Sequence, residues 1–143
     1  MNDRLTKKLK LLKQSKHRKI KNQFVAEGKR LVGEAINYGS TVDSLFCTQT
    51  FYNKNVNSWQ GFLRIDNSMI KVITDSQFKS ISSTSTPSGI AALCNIPRSP
   101  YIDFKVREWI YLDRIRDPGN LGTILRSASW FGFKNIILSS ESV

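Results

Sequence analysis

Apolar residues change their spacing several times along this chain, and each change marks a new element. Leu5, Leu9 and Leu12 recur at i, i+4 and i+7 between lysines, the spacing of a narrow helical stripe. The pattern turns strand-like over 23–26. Gly28 then opens a helix in which Leu31, Val32, Ala35 and Ile36 share one face, with Tyr38 and Gly39 as its stop. Residues 42–48 (VDSLFCT) read as a second strand, and 50–61, rich in Asn, Ser and Gln, as a loop or weak helix. A third strand follows at 69–73. Asp75 is a candidate N-cap for a short helix over 76–82. Residues 82–89 form a long polar turn, and 90–94 a fourth, nearly continuous apolar strand. Strands alternating with helices predict a small α/β domain over 22–96, preceded by a basic helix at 1–21.

A linker at 97–106, carrying Pro97 and Pro100, separates this domain from residues 107–143. There, a strand at 109–112 enters a polar turn, a helix leaves it, and a second apolar segment follows at 136–138. This is the opening of a βαβ unit. Two strands and one helix are too few to cover both faces of a parallel sheet. The segment is therefore expected to start a longer domain or to be completed by a partner chain.

Composition narrows the function classes. At 143 residues the chain accommodates one ordinary core, or a small domain plus part of another. No apolar run approaches the roughly 20 residues needed to span a bilayer, so no membrane role is expected. Cys47 and Cys94 sit in apolar strand-like runs and are expected to be reduced core residues. His17 is the only histidine, which leaves no zinc ligand set, and no metal is expected.

The net charge of +11 is unevenly placed. Residues 1–30 hold eleven of the 22 basic residues against only Asp3 and Glu27, a balance of +9. Such a segment is a solvated basic helix, a mitochondrial targeting signal or a surface for a polyanion. Against targeting, Lys outnumbers Arg eight to three, and no small-residue cleavage site precedes the folded pattern. A phosphate-tracking surface is favoured. Lys7, Lys8, Lys10, Lys16, Arg18, Lys19 and Lys21 would supply contacts that carry no base information.

Between the strand at 109–112 and the helix lies Asp117-Pro118-Gly119-Asn120-Leu121-Gly122, followed four residues later by Arg126. The spacing N-x-G-x-x-x-R falls at the carboxyl end of a strand, where open α/β sheets place ligands. Backbone N–H groups at a helix start suit an anion, and an arginine fork suits a phosphate. The run is neither a P-loop nor GxGxxG. Structural readings stay open: Asn120 as helix cap, Gly122 for close helix–strand packing, Arg126 in a surface ion pair.

The stretch YLDRIRDPGNLGTILRSASWFGFKNIILS at 111–139 resembles the first signature motif of the SpoU (TrmH) family of RNA 2′-O-ribose methyltransferases. The matching positions are Asp117, Pro118, Asn120, Gly122, Arg126, Ala128, Phe131 and Gly132. Independently, FVAEGKRLVGEAI at 24–36 and TPSGIAAL at 86–93 are similar to the substrate-binding domain that precedes the catalytic domain in many of these enzymes. That domain resembles small RNA-binding ribosomal proteins of α/β/α fold.

The resemblance implies a fold of that N-terminal domain followed by the first βαβ unit of a trefoil-knotted methyltransferase domain. It implies S-adenosylmethionine as methyl donor, a homodimer, a cytoplasmic location and RNA, ribosomal RNA foremost, as substrate. Asn120 and Arg126 match the motif's catalytic residues. A neutral arginine base is costly, so Arg126 is read as a phosphate clamp that aligns the ribose hydroxyl. Lys29 and Arg30 match the EGKR element and are expected to contact RNA, with ordinary helix surface charge as the alternative. Thr84, Thr86 and Ser88 lie in a polar turn that could meet RNA or be a plain loop. The family's second and third motifs, which supply the knot and most of the cofactor pocket, would lie beyond Val143. The 143 residues are accordingly expected to be an inactive N-terminal portion that does not bind the cofactor tightly. The alternative is a non-catalytic RNA-binding module.

Overall fold

The computed structural model describes residues 3–37, 41–62, 66–96 and 104–143. The chain divides into two compact units, residues 1–98 and 99–143, and each is described by itself.

In the first unit the basic segment forms two helices, α1 (Asp3–Leu11) and α2 (Ser15–Lys21), where a single helix was expected. The break lies at residues 12–14. Leu9 and Leu12 are buried against Phe78 and Ile81, and the chain turns once that stripe is docked. Arg18 holds the turn, donating through Nη1 to the carbonyls of Leu12 (3.2 Å) and Lys13 (2.8 Å). The basic segment is thus packed onto the α/β domain.

Strand β1 (Gln23–Glu27) leads to α3 (Lys29–Asn37). Val32, Gly33 and Ala35 face the sheet, while Leu31 is 54% exposed, contrary to its expected place on the buried face. The expected stop at Tyr38 and Gly39 lies outside the described residues. Strand β2 (Val42–Thr48) runs into α4 (Gln49–Phe62), which is helix where a loop was equally expected. The Thr48 hydroxyl accepts the Phe51 N–H at 3.2 Å, and Phe51 and Tyr52 pack on the core. A 3-10 turn (Asn67–Met69) precedes β3 (Ile70–Ile73).

Helix α5 (Asp75–Ile81) is capped by Thr74, one residue before the expected Asp75. Thr74 Oγ1 accepts the Gln77 N–H, and Gln77 Oε1 accepts the Thr74 N–H, both at 3.2 Å. This reciprocal capping box outcompetes a lone aspartate. After the polar turn, β4 (Ile90–Asn95) enters the middle of the sheet.

The sheet order is β1-β4-β2-β3, with β4 antiparallel to both neighbours and β2 parallel to β3. Its two faces follow the two-residue alternation of strands. Ala92 and Cys94 join Leu45, Cys47, Val32 and Ala35 on one side. Ala91 and Leu93 join Phe46, Ile73, Phe78 and Leu9 on the other. Helices therefore cover both faces, the α/β/α layering expected from sequence. Both cysteines are free and fully buried, and burial pushes each thiol up to about 11.

The second unit is a βαβ unit: β5 (Trp109–Leu112), α6 (Pro118–Trp130) and β6 (Asn135–Leu138), with the strands parallel. Of its apolar side chains Ala128 is buried, whereas Tyr111, Trp130 and Phe131 are exposed. Among the described residues no helix is long and apolar enough to cross a membrane.

Candidate nucleic-acid interface

Two stretches far apart in sequence meet at one end of the first sheet. Glu27 ends β1 opposite Ala91 of β4, and the Gly28 N–H donates to the Ile90 carbonyl at 3.0 Å. The Glu27 carboxylate then gathers the polar turn. One oxygen accepts the hydroxyls of Ser82 (2.6 Å) and Thr84 (3.1 Å), and the other accepts the Ser83 N–H (2.9 Å). From the opposite side Lys13 Nζ donates to the carbonyls of Ser80 (3.3 Å) and Ser82. An ammonium at a helix end suits the carbonyls left without partners there. The turn 82–88 is thereby pinned on two sides, while residues 83–88 stay exposed.

Gly89 closes this turn in a conformation that strains any residue with a side chain. Its φ is +81°, and a β-carbon would stand 3.1 Å from Thr48 Oγ1 and 3.2 Å from Phe51 Cβ. The two sequence elements EGKR and TPSGIAAL thus form one place in the fold. Lys29 and Arg30 open α3 beside the turn, both exposed. Lys29 Nζ donates to Asn55 Oδ1 at 3.3 Å, and Arg30 pairs with Glu34 at 3.0 Å. That pair is an exposed i,i+4 contact of about 0.3–0.5 kcal/mol, weak enough for a phosphate to displace.

The remaining expected contacts separate by structural role. Lys16, Lys19 and Lys21 are exposed on α2. Arg18 is engaged with the carbonyls at the end of α1. Glu27, Ser82 and Lys13 received no role from sequence reasoning. One signal existed: Glu27 is the only acid between Asp3 and Glu34.

In the second unit, Asp117 caps α6, and its Oδ1 accepts the Asn120 N–H at 2.6 Å. Asn120 is therefore not the cap, and its side-chain amide is exposed without a protein hydrogen bond among the described residues. The Asp117 carboxylate already occupies the positive end of the helix, so an incoming anion meets a negative charge there. Arg126 is the nearer anion site. Its Nη2 donates to Thr123 Oγ1 at 3.2 Å, and among the described residues it forms no ion pair. A β-carbon on Gly122 would stand 3.3 Å from Arg126 Nη1 and reach no strand. Gly122 makes room for the guanidinium, which lies back toward the start of the helix. Asn120 and Arg126 are six residues apart, about 9 Å along the axis and on different faces, and that fold-back brings the arginine charge toward the Asn120 end.

The turn at 113–117 is braced by the chain after β6. Ser139 Oγ accepts the Arg114 N–H (2.9 Å), Ser142 Oγ accepts the Ile115 N–H (3.1 Å), and Glu141 pairs with Arg114 at 3.0 Å. Arg114 itself sits at φ +52°. The Ser-Ser-Glu-Ser run at 139–142 received no role from sequence reasoning either.

The second unit also has a cleft of about 630 Å³, lined by residues 105–108 and 131–134. Those residues precede β5 and β6, so the cleft lies at the amino ends of the strands, away from the motif. Ligands of open α/β sheets bind at the carboxyl ends. There Tyr111 is 63% and Leu138 40% exposed. An adenosyl cofactor needs a concave site that buries most of its surface, and the described residues alone do not fit S-adenosylmethionine. No group of three or more His, Cys, Asp or Glu able to hold a metal occurs among the described residues.

Comparison with known proteins bears on both units. The family described as the MRM3-like substrate binding domain matches residues 3–92. Over 147 residues the chain is 33% identical to rRNA methyltransferase 3, mitochondrial, of Xenopus laevis, covering 98% of this chain and 34% of that protein. It is 29% identical over 130 residues to the Bacillus subtilis 23S rRNA (guanosine(2553)-2′-O)-methyltransferase, covering 90% of this chain and 48% of that one. The AdoMet-bound rRNA methyltransferase of Sinorhizobium meliloti superimposes with a TM-score of 0.74 at 29% identity, over 99% of this chain and 53% of that one. The chain thus spans a third to a half of the proteins it matches. The resemblance to a TrmH-family RNA methyltransferase is carried by sequence and fold together, and that to a SpoU methyltransferase by the fold.

Proposed function

We propose, from the premise that this chain belongs to the MRM3-like substrate-binding domain family over residues 3–92, that it is the RNA-holding portion of an rRNA ribose 2′-O-methyltransferase. The observation that carries this reading is the meeting of Glu27, Gly28, Lys29 and Arg30 with the turn 82–88 at one sheet end. Within the domain the family match covers, that end combines exposed cations with exposed hydroxyls. Lys16, Lys19 and Lys21 extend the positive surface along the RNA backbone, while Arg18 serves the fold.

In the second unit Arg126 clamps the phosphate beside the target ribose, and Asn120 presents its amide to the same nucleotide. Both position the 2′-hydroxyl. S-adenosylmethionine supplies the methyl group in this family, and its pocket requires residues beyond those described. The described residues by themselves are expected to hold RNA, with the cofactor pocket completed elsewhere. A homodimer belongs to the same proposal, supported by the exposure of Tyr111, Trp130 and Phe131. So does a cytoplasmic site of action, as for a bacterial enzyme.

Fluorescence anisotropy with a structured rRNA fragment tests the reading. Affinity is expected to fall on the order of a hundredfold between 50 and 200 mM salt, as for several phosphate contacts. A flat salt response refutes it.

A further inference from the structure

The two N-terminal helices enclose a groove of about 610 Å³ lined by Arg4, Leu5, Lys7, Lys8, Leu11, His17 and Lys21. On α1 these residues repeat at the three- and four-residue spacing of one helix face, and on α2 His17 and Lys21 are four apart. The neighbouring stripe, Leu9 and Leu12, is buried in the core, and Leu5 packs partly against it at the edge shared with the groove. Among the described residues the lining holds no acid. Its apolar floor is Leu5, half-buried, and Leu11, 43% exposed.

The groove is held in shape from outside itself. Arg18 fixes the turn between the helices, and Lys13 ties that turn to Ser80 and Ser82. Two of the eleven N-terminal cations are thereby used internally, and those lining the groove surround a space within the ordinary size range of ligand sites.

We propose that this groove binds an unpaired stretch of RNA, with phosphates on Lys7, Lys8 and Lys21 and a base against Leu5 and Leu11. The proposal rests on the RNA-binding reading above and deepens it by naming the subsite and the strand state. Charge complementarity selects a polyanion. The apolar floor selects a single strand, because duplex bases are stacked inward and present mainly backbone, whereas splayed bases offer apolar faces.

The test compares two triple variants of the full 143-residue chain that remove equal charge. One is Lys7→Gln, Lys8→Gln, Lys21→Gln in the groove. The other is Lys54→Gln, Lys71→Gln, Lys79→Gln, three exposed lysines of the same unit outside it. The probes are a fluorescein-labelled ten-nucleotide oligouridylate and an RNA duplex of the same length, and circular dichroism checks that each variant is folded. The groove variant is expected to lose about tenfold or more in single-strand affinity and to lower the salt slope by about two. The outer variant is expected to lose no more than about threefold. Leu11→Ser should weaken single-strand binding and leave duplex binding unchanged. Equal losses from both triple variants, or tighter binding of the duplex by the wild type, overturn the proposal while leaving RNA binding intact. Binding of neither probe by the wild type overturns the RNA-binding reading as well.

Discussion

Glu27 Oε1 accepts the Ser82 hydroxyl at 2.6 Å, joining positions 55 residues apart. Its second oxygen takes the Ser83 N–H, so one carboxylate sets the path of the turn that leads to β4. Glu27→Gln keeps the shape but turns an amide N–H toward one of these donors. The loss is expected to be about 1–3 kcal/mol, the cost of an unmet polar group. Urea unfolding measures it, together with faster proteolysis within 82–88. An unchanged midpoint means that Lys13 alone holds the turn.

Leu9 is fully buried between α1 and the helix α5 side of the sheet, whereas Leu11 on the same helix is 43% exposed. Leu9→Ala should cost about 2–5 kcal/mol, limited by the free energy that docks α1. Leu11→Ala should stay within about 0.5 kcal/mol. Chemical denaturation of the pair distinguishes a docked α1 from a loose one.

Gly122 faces the Arg126 guanidinium at close range. Gly122→Ala favours the helix by up to about 1 kcal/mol, yet it pushes the guanidinium away by a few tenths of an ångström. The thermal midpoint should hold or rise while the Arg126 Nε–H resonance shifts in NMR. A resonance that does not move shows that the arginine does not lie over Gly122.

Cys47 and Cys94 have thiols raised by burial to about 11 from an ordinary value near 9. A raised folded-state pKa means that the unfolded chain loses its protons first. The stability this represents is complete below about pH 9 and is lost as pH climbs toward 11, by roughly 2–3 kcal/mol per thiol. Unfolding free energies at pH 8 and pH 10 should differ more for the wild type than for Cys47→Ala or Cys94→Ala. Equal slopes would place the thiols in contact with water.

Isothermal titration of the 143-residue chain with S-adenosylmethionine should give no binding at micromolar affinity. The carboxyl ends of β5 and β6 leave Tyr111 and Leu138 exposed rather than walling a pocket. Micromolar binding refutes this assignment.

Local pattern was enough for the elements of this protein and for its two sequence signatures. The continuous apolar run at 90–94 and the helical spacing of Val32, Ala35 and Ile36 depend on neighbours a few residues away, and so they are visible in the chain itself. Where competing local contacts decide, as at the Thr74 cap or the start of α4, the sequence reading is off by a residue or leaves two options. Asn120 and Arg126 could be singled out by spacing, but not the Asp117 cap that places a negative charge at the helix start, nor the fold-back of Arg126 over Gly122.

The tertiary structure alone decided which charges stay available. Eleven cations in thirty residues look equivalent in the sequence. Packing commits Arg18 and Lys13 to backbone carbonyls and turns Lys7, Lys8 and Lys21 into one groove. It also brings Glu27 to Ser82. These contacts join residues separated by up to 69 positions, and no periodicity specifies them. They exist because β4 enters the sheet between β1 and β2, which carries the polar turn to the end of β1.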